Sequence, residues 1–176
     1  MVSDKEKTEQ ALKIAIQMEI DGKEYYEEAG RACDNELSRK LFISLAGEED
    51  LHRSKFEEIY SAISSQKEWP VIDFKPDGAN NLRTIFNTSI KKIGADIKAP
   101  ADELEALEKA MEMESKTFDF YMECNRDATY AAEADFYEKL ALEERGHHLV
   151  LLDYYEYLKD PAGWFVRTEH PSLDGG

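Results

Sequence analysis

Apolar residues recur at helical spacing in two early stretches of the chain. Leu12, Ala15 and Ile16 begin a stripe that continues to Tyr26, and Leu41, Leu45, Phe56 and Ile59 form a second. Separations of three and four put each set on one side of a helix. Glu19 lies on the first stripe, and Glu49 and His52 lie on the second. The break near residues 31–35 is short, with Asp34 or Asn35 available to cap the second helix, which predicts an antiparallel hairpin. A third helix opens at Pro100-Ala101-Asp102, with Asp102 as cap or first-turn acid, and runs to about Asp127. A fourth runs from about Tyr130 to Leu158 and ends at Asp160-Pro161.

After about Ser64 the pattern dissolves. Two prolines and a glycine between Trp69 and Gly78 exclude a continuous helix. Asn81 to Ile93 can form a helix that packs Leu82, Ile85, Phe86 and Ile90, so this connection is a partly ordered crossover. The expected architecture is all-α, a four-helix bundle made of two hairpins in one domain, residues 1–176. Hairpin one covers about 5–64, the crossover about 65–100, hairpin two about 101–159, and a tail 160–176. The tail is expected to be irregular from Gly163, docked on the bundle by Trp164 and Phe165.

A repeat relates the two hairpins. Shifting the chain by 95 positions lays Ala11, Leu12, Ala15, Met18, Glu19 and Tyr26 on Ala106, Leu107, Ala110, Met113, Glu114 and Tyr121. The same shift lays Leu45, Ala46, Glu48, Glu49, His52 and Tyr60 on Leu140, Ala141, Glu143, Glu144, His147 and Tyr155, identical at every position. Each copy therefore has one Glu on its first helix and a Glu-x-x-His on its second.

Residues three apart on a helix project from the same side, so Glu49 with His52, and Glu144 with His147, can each reach a common point. A lone Glu-x-x-His belongs as readily to a solvated face. Two of them at one repeat distance, each with a matched Glu, form the ligand inventory of bundles that hold two metal ions. Four carboxylates inside a bundle are unfavourable unless protonated or neutralised, and two divalent cations would neutralise them. Hard oxygen donors with one imidazole per ion suit iron or manganese; zinc would bind as well. Tyr26 and Tyr121 lie two turns from their Glu on the same side, either as core packing or as hydrogen-bond donors to a metal-bound carboxylate. Glu48 and Glu143 point about a quarter turn away, toward partial exposure or a supporting role. His148 falls opposite Arg53 in the repeat and reads as solvated, as does His170 in the tail.

The formal charge of −16 argues against nucleic acid, whose binding runs on Lys and Arg. No apolar run approaches a membrane span, and the first ten residues lack a secretory pattern, so a cytoplasmic location is expected. Cys33 and Cys124 are too few for a disulfide framework and read as ordinary thiols.

Met18-Glu19 with Tyr26, the run Leu45 to His52, Met113-Glu114 with Tyr121, and the run Leu140 to His147 resemble the rubrerythrin branch of the ferritin-like di-iron superfamily over about residues 8–159. The resemblance implies a ferritin-like fold and two iron ions. It implies that Glu49 and Glu144 bridge them, with Glu19 and Glu114 as terminal carboxylates and His52 and His147 at the ends. It further implies reduction of hydrogen peroxide or dioxygen and a homodimer. Two features depart from the pattern. No four-cysteine rubredoxin module is present, so electrons would come from an external donor protein such as a rubredoxin. Thr117 stands where rubrerythrins carry an extra Glu, so the resemblance does not by itself imply the ligand exchange linked to that Glu. The alternative reading is a non-enzymatic iron-binding protein for storage, delivery or sensing.

Overall fold

The computed structural model describes residues 2–65 and 68–169. Among these, the elements in chain order are α1 (Asp4–Ala32), α2 (Glu36–Ser64), α3 (Asn80–Ile93), α4 (Ala101–Asp127), α5 (Ala131–Lys159) and α6 (Pro161–Glu169). Helix starts are chemically marked. The Ser3 hydroxyl accepts the Glu6 N–H while the Glu6 carboxylate accepts the Ser3 N–H, a reciprocal cap that satisfies two otherwise orphaned donors. Asn35 caps α2 by accepting the Leu37 N–H at 2.9 Å. At α4 the cap position is Pro100, and Asp102 is a first-turn acid. Glu133 accepts the N–H groups of Thr129 and Tyr130 at the start of α5.

The buried apolar residues fall into two clusters, one at each end of the bundle. One contains Leu37, Leu41, Phe42, Leu107, Val150 and Tyr154. The other contains Leu12, Phe56, Ile59, Tyr121, Phe136 and Leu140. The order in which each helix meets them gives its direction. Helices α1 and α5 pass the second cluster first, whereas α2 and α4 pass the first cluster first. Because α2 and α4 run the same way, the chain must return the length of the bundle between them. Trp69 and Phe74 lie in the cluster at the end of α2, and Leu82, Phe86 and Ile90 of α3 lie in the cluster at the start of α4. The crossover is therefore packed along the bundle through its own apolar side chains.

Midway, the crossover turns sharply. Gly78 and Ala79 have φ of 62° and 60°, a left-handed conformation that costs Ala79 about 1 kcal/mol. Two residues of α5 receive this turn. Glu143 accepts the Gly78 N–H at 2.6 Å, and a Cβ added at Gly146 would stand 3.0 Å from the Ala79 Cβ. The repeat partner of Gly146 is Leu51, a side chain this contact would not admit.

One expectation is corrected. The tail is not irregular from Gly163: Pro161 to Glu169 is helical, with Pro161 at the first position, where a missing N–H costs nothing. Trp164 and Phe165 do pack on the bundle, edge-on to Tyr157. His170 lies outside the described residues. No helix among the described residues is long and apolar enough to cross a membrane.

Candidate metal centre

Between the two apolar clusters, the bundle interior turns polar. Glu19 comes from α1, Glu49 and His52 from α2, Glu114 from α4, and Glu144 and His147 from α5; all six are buried. They form two overlapping groups, Glu19, Glu49, His52 and Glu144, and then Glu49, Glu114, Glu144 and His147. Within each group the nearest donor atoms lie within 4.8 Å of one another. Glu49 and Glu144 are the members common to both. The two imidazole rings lie nearly parallel, 5.9 Å apart at 12°.

The inner donor atoms converge without partners. His52 Nδ1 lies 3.5 Å from Glu19 Oε2 and 3.3 Å from Glu144 Oε1, and His147 Nδ1 lies 3.5–3.6 Å from oxygens of Glu49, Glu114 and Glu144. Glu19 Oε2, Glu49 Oε1, Glu114 Oε2, both oxygens of Glu144 and both Nδ1 atoms are buried with no hydrogen bond. Orphaned polar atoms inside a protein are costly, and so many aimed at one place fit a pair of cations. The donor set of carboxylate oxygens with one imidazole per group suits iron or manganese.

The outer atoms of the same side chains are anchored across the repeat. The Tyr26 hydroxyl on α1 donates to Glu114 Oε1 on α4, and the Tyr121 hydroxyl on α4 donates to Glu19 Oε1 on α1. Each hairpin thus supplies the tyrosine that orients the other hairpin's carboxylate. Burial, then the charges of Glu114 and Glu19 respectively, raise both phenols well above their ordinary range, so they remain neutral donors.

His147 Nε2 lies 2.6 Å from Glu48 Oε2. The repeat predicts the same service from Glu143 to His52, but Glu143 is engaged by Gly78, and His52 instead meets Phe74 edge-on at 5.8 Å. The two halves of the site are therefore unequal, and the crossover is the cause.

Electrostatics without metal describe a site short of positive charge. Burial, followed by the charges of the neighbouring glutamates, raises Glu49 and Glu144 above the usual carboxylate range. Burial pulls His52 down, but the charge of Glu19 and the acceptor atoms of Glu144 and Glu19 outweigh it and lift His52 to about 10. Burial likewise opposes the charged form of Glu114, yet His147 and the Tyr26 hydroxyl hold it below its ordinary value.

His148 requires a correction. It is half-buried, not simply solvated, with Nδ1 at 3.1 Å from the Met111 carbonyl and 3.3 Å from the Ser115 hydroxyl. It stands outside both donor groups. Gly22 escaped sequence reasoning: a Cβ there would stand 3.1 Å from Glu49 Oε2. The signal was available, since the repeat places Gly22 opposite Thr117 and so marks a position where the copies differ beside a ligand.

A helical bundle that buries two matched sets of Glu, Glu and His around one point belongs to the ferritin-like class. The family model for rubrerythrin matches residues 10–98 and 105–171, and the chain belongs to the rubrerythrin family. That family binds a di-iron centre, which the buried carboxylate and histidine cluster can accommodate. No curated protein and no solved structure matches the chain.

Proposed function

We propose that the chain is a di-iron oxidoreductase that reduces hydrogen peroxide, and dioxygen more slowly, with electrons from an external donor protein such as a rubredoxin. In this reading Glu19 with His52 would hold one ion and Glu114 with His147 the other, and both ions would share Glu49 and Glu144. The observation that carries it is the sharing of Glu49 and Glu144 by both donor groups. When bound, the two ferrous ions supply the two electrons that, with two protons, convert one peroxide to two waters.

The residues around the centre hold it in position for that reaction. Tyr26 and Tyr121 fix the terminal carboxylates through their outer oxygens and leave the inner ones free. Glu48 orients His147 from behind. Leu140, Ala141 and Phe56 on one side, with Leu45 and Val150 on the other, close the two ends of the polar interior.

One observation favours the second reading, a protein that binds iron for storage, delivery or sensing. Thr117 donates its hydroxyl to the Met113 carbonyl at 3.0 Å and so serves its own helix, where rubrerythrins place a further carboxylate. Stopped-flow mixing of the ferrous protein with peroxide and with dioxygen separates the two. Fast oxidation by peroxide, slow oxidation by dioxygen and turnover with reduced rubredoxin are expected. Slow peroxide oxidation with no turnover by any reductant moves the protein to the iron-binding reading. A homodimer in solution is expected; a cage-sized assembly would favour storage.

A further inference from the structure

The repeat makes each seam between paired helices a control for the other. In the first hairpin, Asp50 of α2 bridges Lys23 of α1, at 2.9 Å, and Arg53, at 3.0–3.1 Å. Ile20 lies one turn before Lys23. The equivalent positions in the second hairpin are Ser115, Phe118, Arg145 and His148. A bulky apolar side chain has become a hydroxymethyl group, and the Lys-Asp-Arg bridge has no counterpart.

Where that bridge is missing, a cavity of about 290 Å³ opens between α4 and α5. Ser115, Phe118, Arg145 and His148 wall it, and Glu114 and Glu144 form its floor. Asp119 also lines it, so the positive charge of Arg145 is partly offset. The floor residues are 3% and 1% exposed, and their inner oxygens have no protein partner. Three larger cavities elsewhere include none of the six converging residues. A water takes about 30 Å³ of liquid volume, so this cavity admits a peroxide-sized molecule with solvent. It lies at the lower end of the roughly 300–1,000 Å³ typical of organic-ligand pockets.

We propose that the α4–α5 seam is the port by which small oxygen- or nitrogen-donor ligands, neutral or singly anionic, reach the metal centre, and that Ser115 and Phe118 set its width. The proposal rests on the metal-binding reading above but not on peroxide being the substrate. His148 ties the port together, since its ring contacts Met111 and Ser115 of α4 from α5.

Azide binding to the iron-loaded, oxidised protein tests it, followed by stopped flow on the ligand-to-metal charge-transfer band, with iron content measured in parallel. Ser115→Trp narrows the port, and Ile20→Trp is the matched change in the other seam. Ser115→Trp should retain its iron and bind azide at least tenfold more slowly, while Ile20→Trp binds at the wild-type rate. Phe118→Ala widens the port without adding bulk and should bind at least threefold faster. Equal rates for Ser115→Trp and wild type, slowing by Ile20→Trp alone, or no change in Phe118→Ala would overturn the port. A port confirmed by azide in a protein that peroxide does not oxidise would retire the peroxide reading alone.

Discussion

His147 on α5 and Glu48 on α2 are joined across the bundle, with the outer imidazole nitrogen 2.6 Å from a carboxylate oxygen. In the neutral ring that a metal ligand requires, that contact would hold the proton on Nε2 and turn Nδ1 toward Glu49, Glu114 and Glu144. Loss of such a supporting carboxylate typically weakens metal affinity by about 10–100-fold. Glu48→Gln should therefore weaken one of the two metal sites by about that factor, read by competition with a chromophoric chelator. Glu143→Gln, whose carboxylate serves Gly78 in place of His52, should change metal affinity much less. Equal effects from the two variants would show that the halves of the site are not unequal in this way.

The crossed tyrosines make a second pair of variants informative. Tyr26→Phe leaves Glu114 Oε1 buried without its donor, and Tyr121→Phe does the same to Glu19 Oε1. An unsatisfied buried acceptor costs about 1–3 kcal/mol, more when charged. Each single variant should lower the melting temperature of the metal-free protein and loosen the ion whose carboxylate it orients. If both variants melt and bind metal as wild type does, these phenols are packing groups only.

Most of the fold was legible because its signals are local and periodic. The stripes through Leu12 and Leu41 mark the helices, and the repeat aligns Glu19, Glu49 and His52 with Glu114, Glu144 and His147 before any contact is known. What the sequence concealed depends on where the crossover lands. The repeat implies that Glu48 and Glu143 have equal roles, yet Gly78 donates to Glu143, and of the two only Glu48 is hydrogen-bonded to a histidine. The helix from Pro161 to Glu169 was hidden for a different reason: Asp160-Pro161 reads as a stop signal, although proline is equally suited to a helix's first position. The repeat marks Gly22 and Gly146 as positions where the copies differ, but the groups they approach, Glu49 and Ala79, depend on tertiary packing.

Stability of the metal-free protein should depend on pH in a defined direction. Glu49, Glu144 and His52 all have folded-state values raised above their ordinary ones, so the folded chain holds more protons than the unfolded chain. Stability then falls as pH rises. The His52 contribution is complete below its ordinary 6.5 and is lost as pH passes about 10. Glu114, held low by His147, acts in the opposite sense and only toward acid. Thermal melts should show the metal-free protein losing stability between pH 6.5 and about 10, with a shallower slope once metal replaces the protons. A metal-free melting temperature that rises across that range would contradict the assignment.

On this account Glu19, Glu49, His52, Glu114, Glu144 and His147 together hold two metal ions, with Glu49 and Glu144 shared. Metal analysis of the purified protein, combined with an anomalous-scattering map at the absorption edge of the metal found, decides whether they do. Two anomalous peaks per chain should lie between the histidines, each within coordination distance of Glu49 and Glu144, and Glu49→Ala and Glu144→Ala should each abolish the pair. Two metals still bound in either variant, or peaks located away from these side chains, would contradict it.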